Sequence, residues 1–316
     1  MFGSIFMLIG ILLIYSVLGI TDFYLCELYI DTFSFNFKLI IFIFFFVSFS
    51  IKVPIVPFHF WLPEAHVEAP TSGSVILAGL LLKLGTYGLI RFLIPLFSEI
   101  ILYLNPVLYT ICIYSVIYIS FIIIRQLDLK RIIAYSSIIH MNFILLGLVI
   151  FNKATIIGGI FLLLSHGIVS SALFICIGFL YERYHTRIIL YYKGVCIVMP
   201  IFVLFYFIFI IANASLPGTS NFTGEFLVLL GLFEYNKMLV FLLSIGLFYS
   251  AILNFWIYNK MSFGDIKNSM INFSNDLNLR EFLIVLIFFI LTILLGYYPM
   301  NVISFLKYYV YILLVL

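Results

Sequence analysis

The chain has 316 residues, 65% of them hydrophobic and only 9% charged, with a formal net charge of +3. A soluble domain carries about 25% charged residues, so a water-covered fold of this size is excluded and lipid becomes the expected solvent. The small net charge and the absence of a basic run exclude a nucleic-acid partner.

Residues 2–20 read as a first membrane helix and not as a cleavable signal. They lack a basic leading region and a small-residue cleavage site before Asp22. Windows of about 20 apolar residues place further helices near 36–60, 71–96, 106–124, 132–150, 155–180, 195–233, 238–259 and 281–299. The expected fold is all-α and polytopic, with nine transmembrane helices. The last stretch, 300–316, is apolar but short and reads as a tail at the interface.

Two of the nine are interrupted. The second breaks near Lys52-Val53-Pro54, with Pro57 and Pro63 following, and the seventh breaks at Leu216-Pro217-Gly218. Proline removes an N–H and blocks the carbonyl four residues back. Such breaks persist in hydrocarbon only where protein or water covers the freed groups. Paired broken helices point to a transporter-like site and an inverted-repeat fold.

Basic residues set the expected orientation. Arg125, Lys130, Arg131, Arg183, Arg187, Lys193, Lys260, Lys267 and Arg280 follow the fourth, sixth and eighth helices; Lys38, Arg91, Lys153, Lys237 and Lys307 lie on the other face. The larger set marks the inner side, with the N-terminus inside and the C-terminus outside. Lys52 and Lys83 belong to no loop.

Lys83, in Leu80-Leu81-Leu82-Lys83-Leu84-Gly85, lies about a dozen residues from either end of its helix and is too deep to snorkel. Intramembrane ionisable groups mark ion or proton paths; the rival reading is a structural lysine paired to a carboxylate or to free carbonyls. Lys52 stands at a half-helix end, where a cation answers the C-terminal dipole or takes part in ion handling. Glu225 follows the second break and reads either as a capping carboxylate or as a group protonated and released in a cycle. His140 and His166 lie on adjacent helices and titrate in a useful range, though lone histidines are more often hydrogen-bonded core residues. They could also serve as axial haem ligands, but the surrounding features fit protons better.

His59, Glu64, His66 and Glu68 surround Trp61 at the junction of the second and third helices. They lack the i, i+4 histidine pair of a zinc site and read as a hydrogen-bonded elbow at the interface. Lys130, Arg131, Glu182 and Arg183 stand at helix ends and read as solvated or positive-inside residues. Cys26, Cys112, Cys176 and Cys196 are scattered singly and read as small hydrophobes. No P-loop or dinucleotide motif is present, and no metal ligand set is expected. The abundance of Phe, Tyr and Ile, whose codons are AT-rich, hints at an organellar genome.

Several motifs together resemble the antiporter-like membrane subunits of respiratory complex I. They are Lys52-Val53-Pro54, His59-Phe60-Trp61-Leu62-Pro63-Glu64-Ala65-His66-Val67-Glu68-Ala69-Pro70, Leu81-Leu82-Lys83-Leu84-Gly85-Thr86-Tyr87-Gly88, Asp128-Leu129-Lys130-Arg131 and Leu180-Tyr181-Glu182-Arg183. The resemblance implies a fold of about fourteen helices built on two inverted repeats of about five. Residues 1–96 would be the remainder of the first repeat, 106–259 the second, and 260–316 a C-terminal helix and tail. It implies proton transfer by Lys52, Lys83, His140, His166 and Glu225, with Glu225 towards the outlet. It further implies residence in the mitochondrial inner membrane, other membrane-arm subunits and lipids as partners, and no cofactor on this chain. NADH, FMN, iron–sulfur clusters and ubiquinone would belong to other subunits. A full-length subunit has about five more helices ahead of Met1, one bearing the glutamate that pairs with the lysine at Lys52. A second polypeptide is expected to supply them. Rival expectations are a subunit of a multi-subunit cation/proton antiporter and a purely structural subunit of a membrane arm.

Overall fold

Short polar side chains start many of the helices, because they accept the N–H groups that a first turn leaves unpaired. Asp22 accepts from the backbone of Tyr24 and Leu25, Asp128 from Lys130, Asn152 from Ala154, and Asn236 from Met238. Asn278 and Glu281 form a capping box. The computed structural model describes residues 2–264 and 275–315, without the side chains of 312–315. Lys267 lies outside the described residues.

The helices are α1 (Phe2–Leu18), α2 (Phe23–Tyr29), α3 (Phe35–Lys52), α4 (Trp61–Glu68), α5 (Thr71–Leu96), α6 (Ser98–Ile123) and α7 (Leu129–Val149). After them come α8 (Lys153–Tyr184), α9 (Pro200–Asn213), α10 (Ser220–Tyr235), α11 (Lys237–Ser262), α12 (Leu279–Tyr297) and α13 (Pro299–Val315). Among the described residues there is no strand, only an isolated bridge between Asp128 and Ile188. Among the described residues seven helices are long and apolar enough to cross a membrane, or eight if α1 with α2, a pair bent by 65°, counts as one span.

That number differs from the nine expected. The stretch 195–233 divides into α9 and α10, neither of which reaches the length of a span alone. Between them Ser215 and Gly218 take positive φ, 54° and 92°, a conformation that glycine reaches without strain. The sixth helix along the chain, α6, begins at Ser98 and not at 106, with Pro106 accommodated inside it. The C-terminal stretch forms a regular helix, α13, packed on α8 and α12.

The long helix α8 is the hub, touching α5, α7, α9, α10, α12 and α13. Glycine permits its closest approach: a Cβ at Gly224 of α10 would stand 2.8 Å from Leu162 Cβ and 2.9 Å from its backbone nitrogen. The helix α7 is buried almost all round.

The elbow after α3 shows how a proline break is made tolerable. Trp61 Nε1 donates to the Ile51 carbonyl at 2.8 Å, and Asn142 Nδ2 donates to the Pro54 carbonyl at 3.3 Å. Two cations from distant parts of the chain, one at the start of α7 and one in the loop after α8, finish the job. Lys130 Nζ donates to the Ala69 carbonyl at 2.8 Å and the Ser74 hydroxyl at 3.3 Å, while Arg187 donates to the Val67 carbonyl at 2.6 Å. The expectation that Lys130 is solvated is therefore corrected: it is fully buried, because the elbow folds over it.

The bridge at Asp128–Ile188, the bond from Gly194 N–H to the Phe263 carbonyl and the bonds from Arg183 to Asn275 and Asp276 gather one set of loops on a single, basic face. Arg183 also pairs with Glu281 at 2.5 Å, so it too is engaged and not simply solvated. On the opposite face Asn152 donates to Glu234 at 3.0 Å, and Lys38 contacts Asp31 at 2.9 Å and Glu99 at 3.4 Å.

Candidate functional site

The helix α5 is not uniformly α-helical. Two π-helical stretches, Leu77–Leu81 and Leu89–Leu93, flank the turn that carries Lys83. A π turn loosens the regular ladder and frees carbonyls. The Lys83 amine bonds to one of them, that of Ala78. Gly167 of α8 leaves room for this side chain: a Cβ there would stand 3.2 Å from Lys83 Cε.

From Lys83 a line of titratable groups crosses the packed core. Lys83 Nζ lies 3.3 Å from His166 Nδ1 on α8. The His166 and His140 rings have centroids 5.1 Å apart, bringing α8 to α7. His140 Nδ1 then lies 3.0 Å from Glu225 Oε1 on α10. His166 is fully buried, and His140 and Glu225 are 2% and 5% exposed. Glu225 stands in the second turn of α10, too far along for a capping carboxylate. Four of the five expected site residues thus meet in one row, supplied by α5, α8, α7 and α10.

Lys52 does not join it. Its amine lies 5.7 Å from the centre of the Phe49 ring, and it borders a cavity of about 420 Å³ between α1, α2, α3 and α5. Met7, Ile14, Phe45 and Tyr87 are among its apolar neighbours there. No acidic side chain is within ion-pair distance of Lys52 among the described residues.

At the elbow, His66 is fully buried and stacked on Phe174, ring centroids 4.4 Å apart and planes within 5°. His59 is also fully buried, beside Phe60 and Tyr118. Among the described residues no three of His, Cys, Asp and Glu converge as a metal site would require. Residues that hydropathy did not single out also cluster near the row. Asn213 Nδ2 donates to Asn254 Oδ1 at 2.9 Å and to the Ser136 hydroxyl at 3.4 Å, joining α9, α11 and α7.

Residues 1–252 match the family described as NADH:quinone oxidoreductase/Mrp antiporter, TM. The chain belongs to this family. Its antiporter-like relatives include NADH-ubiquinone oxidoreductase chain 4 of Marchantia polymorpha, 52% identical over 94% of this chain and 60% of that protein. Chain 4 of Acanthamoeba castellanii is 50% identical over 99% of this chain and 62% of that protein. The chain therefore spans about 60% of the length of the curated relatives it matches. Among solved structures, a chain of respiratory complex I from Thermus thermophilus superimposes with a TM-score of 0.88 at 29% identity, over 99% of this chain and 67% of that one. A chain of the Mrp complex from Dietzia sp. DQ12-45-1b gives 0.85 at 19% identity, over 96% and 64%, a likeness of fold alone. The antiporter-like fold and a multi-pass membrane location follow for this family member.

Proposed function

We propose that the chain is the C-terminal part of subunit 4 of mitochondrial complex I and carries protons across the inner membrane as NADH is oxidised and ubiquinone reduced elsewhere in the complex. One observation carries this reading: the row Lys83–His166–His140–Glu225 through an otherwise apolar core. Intramembrane ionisable groups are costly and persist where they move charge. A proton on Lys83 passes to His166 at 3.3 Å, then to His140 by one water or a ring rotation, and on to Glu225 at 3.0 Å. These separations are at or near the reach of direct or single-water proton transfer. The redox cofactors, FMN, iron–sulfur clusters and ubiquinone, sit on other subunits.

In this reading α9 and α10 are halves of one interrupted crossing, giving nine spans with the second and seventh broken and the basic face towards the matrix. The N-terminus then lies on the matrix side and the C-terminus in the intermembrane space. About five further helices, expected on a second polypeptide, seat against the Lys52 cavity and bring a carboxylate to Lys52. A peptide running from upstream residues into Met1, found by mass spectrometry of the complex, would show one continuous chain instead. The cation/proton antiporter reading is disfavoured because relatives near 50% identity are named chain 4, whereas the likeness to the Mrp complex is one of fold.

The test is proton pumping by the assembled complex. Lys83→Met or Glu225→Gln is expected to lower the protons moved per NADH oxidised. Unchanged pumping in both variants, with the chain shown to be present, defeats the proposal.

A further inference from the structure

One face of α11 is polar in a way that the row of titratable groups does not use. Ser250, Asn254, Tyr258 and Ser262 recur every four residues and so share a face. All four are buried, at 7%, 5%, 9% and 0% exposure. Over twelve residues they rise about 18 Å, more than half of a hydrocarbon core of about 30 Å. The outward face of the same helix carries exposed Phe241, Phe248 and Ile252, so the polar stripe points into protein and not towards lipid.

The stripe faces α9. Tyr206 stacks on Tyr258 with ring centroids 6.3 Å apart, and Asn213 donates to Asn254. At its upper end Asn213 also reaches Ser136, one helical turn before His140 on α7. Asn221, one turn before Glu225 on α10, is fully buried, and neither its amide oxygen nor its amide nitrogen has a partner in the protein. The Tyr206 hydroxyl and the Ser137 hydroxyl are likewise buried and unpartnered. Buried hydroxyls and amides of this kind are normally satisfied, and where protein does not do it ordered water does.

We propose that α9 and α11 enclose a column of water that runs from Ser262 at the basic face to Asn213 and Ser136, and that it delivers protons to His140 without passing Lys83. Every side chain along it both donates and accepts, which is what a water chain needs to reorient and pass a proton on. The delivery half of this inference rests on the reading of His140 and Glu225 as proton carriers; the column itself does not.

Thiol accessibility in the assembled complex separates the two. Cysteine is placed singly at Tyr258, Asn254 and Ile252 in a Cys196→Ser background, and a small cationic methanethiosulfonate is added to inverted membrane particles. The reagent needs an ionised thiol in contact with water, so Tyr258→Cys and Asn254→Cys should be modified and the lipid-facing Ile252→Cys should not. Failure of Asn254→Cys to react, with the complex assembled, overturns the column. Tyr258→Phe keeps the ring stacking and removes only the hydroxyl; it should lower protons pumped per NADH while assembly is retained. Should Asn254→Cys fail to assemble, Tyr258→Phe decides, and unchanged pumping overturns delivery through the column. If thiols react but Lys83→Met and Glu225→Gln both pump normally, the column stands and the proton-carrying reading falls.

Discussion

Lys130 and Lys83 are both lysines inside the fold, yet they do different things. The Lys130 amine holds the Ala69 carbonyl and the Ser74 hydroxyl, fastening the elbow to the start of α7. Lys130→Met keeps the stem and removes the donor, stranding a carbonyl whose loss costs about 1–3 kcal/mol. The variant should lower the thermal inactivation midpoint of the complex with little change in protons pumped per NADH; an unchanged midpoint would deny the clamp. At this scale charge was legible and partnership was not. Lys83, His166 and Glu225 stood out as ionisable groups in apolar runs. Lys130 sat next to Arg131 and looked solvated, since its partners lie about sixty positions earlier in the chain and only the fold brings them near. Asn213 and Asn254 escaped notice because neutral amides barely disturb a hydropathy profile. The four-residue recurrence of polar side chains along α11 was the signal that could have found the second of them.

Between elements, the close packing of α10 on α8 holds the helix that carries Glu225 beside His140 of α7. Gly224 stands against the backbone of Leu162, and Gly158 against Val228 and the Gly224 carbonyl. Gly224→Val would force the two helices apart, at a cost of about 1–3 kcal/mol, and should lower both thermal stability and pumping. Gly79→Ala is the matched control, because a Cβ there would meet nothing nearer than 3.9 Å. Equal stability of the two variants would rule out the tight α8–α10 seam. Most spans were readable from apolar length alone, although α6 starts at Ser98 and not 106, and α3 ends at Lys52 and not 60. At 195–233 the interruption was legible in Leu216-Pro217-Gly218, and Ser215 and Gly218 turn the backbone out of any helix there. Asp276, from a segment far along the chain, then receives the N–H groups of Ile201 and Phe202 at the start of α9.

Across the whole molecule the charges divide by face, and the division can be tested directly. Arg125 is exposed in the turn between α6 and α7 on the basic face. Trypsin should cut after Arg125 in inverted inner-membrane particles and spare it in intact mitoplasts; the reverse pattern would turn the proposed topology over. The Lys52 cavity belongs to the same scale. It opens beside α1 and α2, so Lys52 could be recognised from sequence as costly, but no answering charge stands within ion-pair distance among the described residues.

The π stretches that flank Lys83 have a consequence for tolerance to length change. A π turn takes one more residue than the α turn it interrupts, so the helix beyond it keeps its heading only while that residue stays. Deleting Leu80 from Leu77–Leu81 would restore an even α-helix and swing everything after it by about 100°. Lys83 would then turn away from His166 and from the Ala78 carbonyl. A deletion of one lipid-facing leucine, conservative by composition, should abolish pumping as fully as removing the lysine itself, and a pumping deletion variant would show that the heading of Lys83 does not depend on that turn.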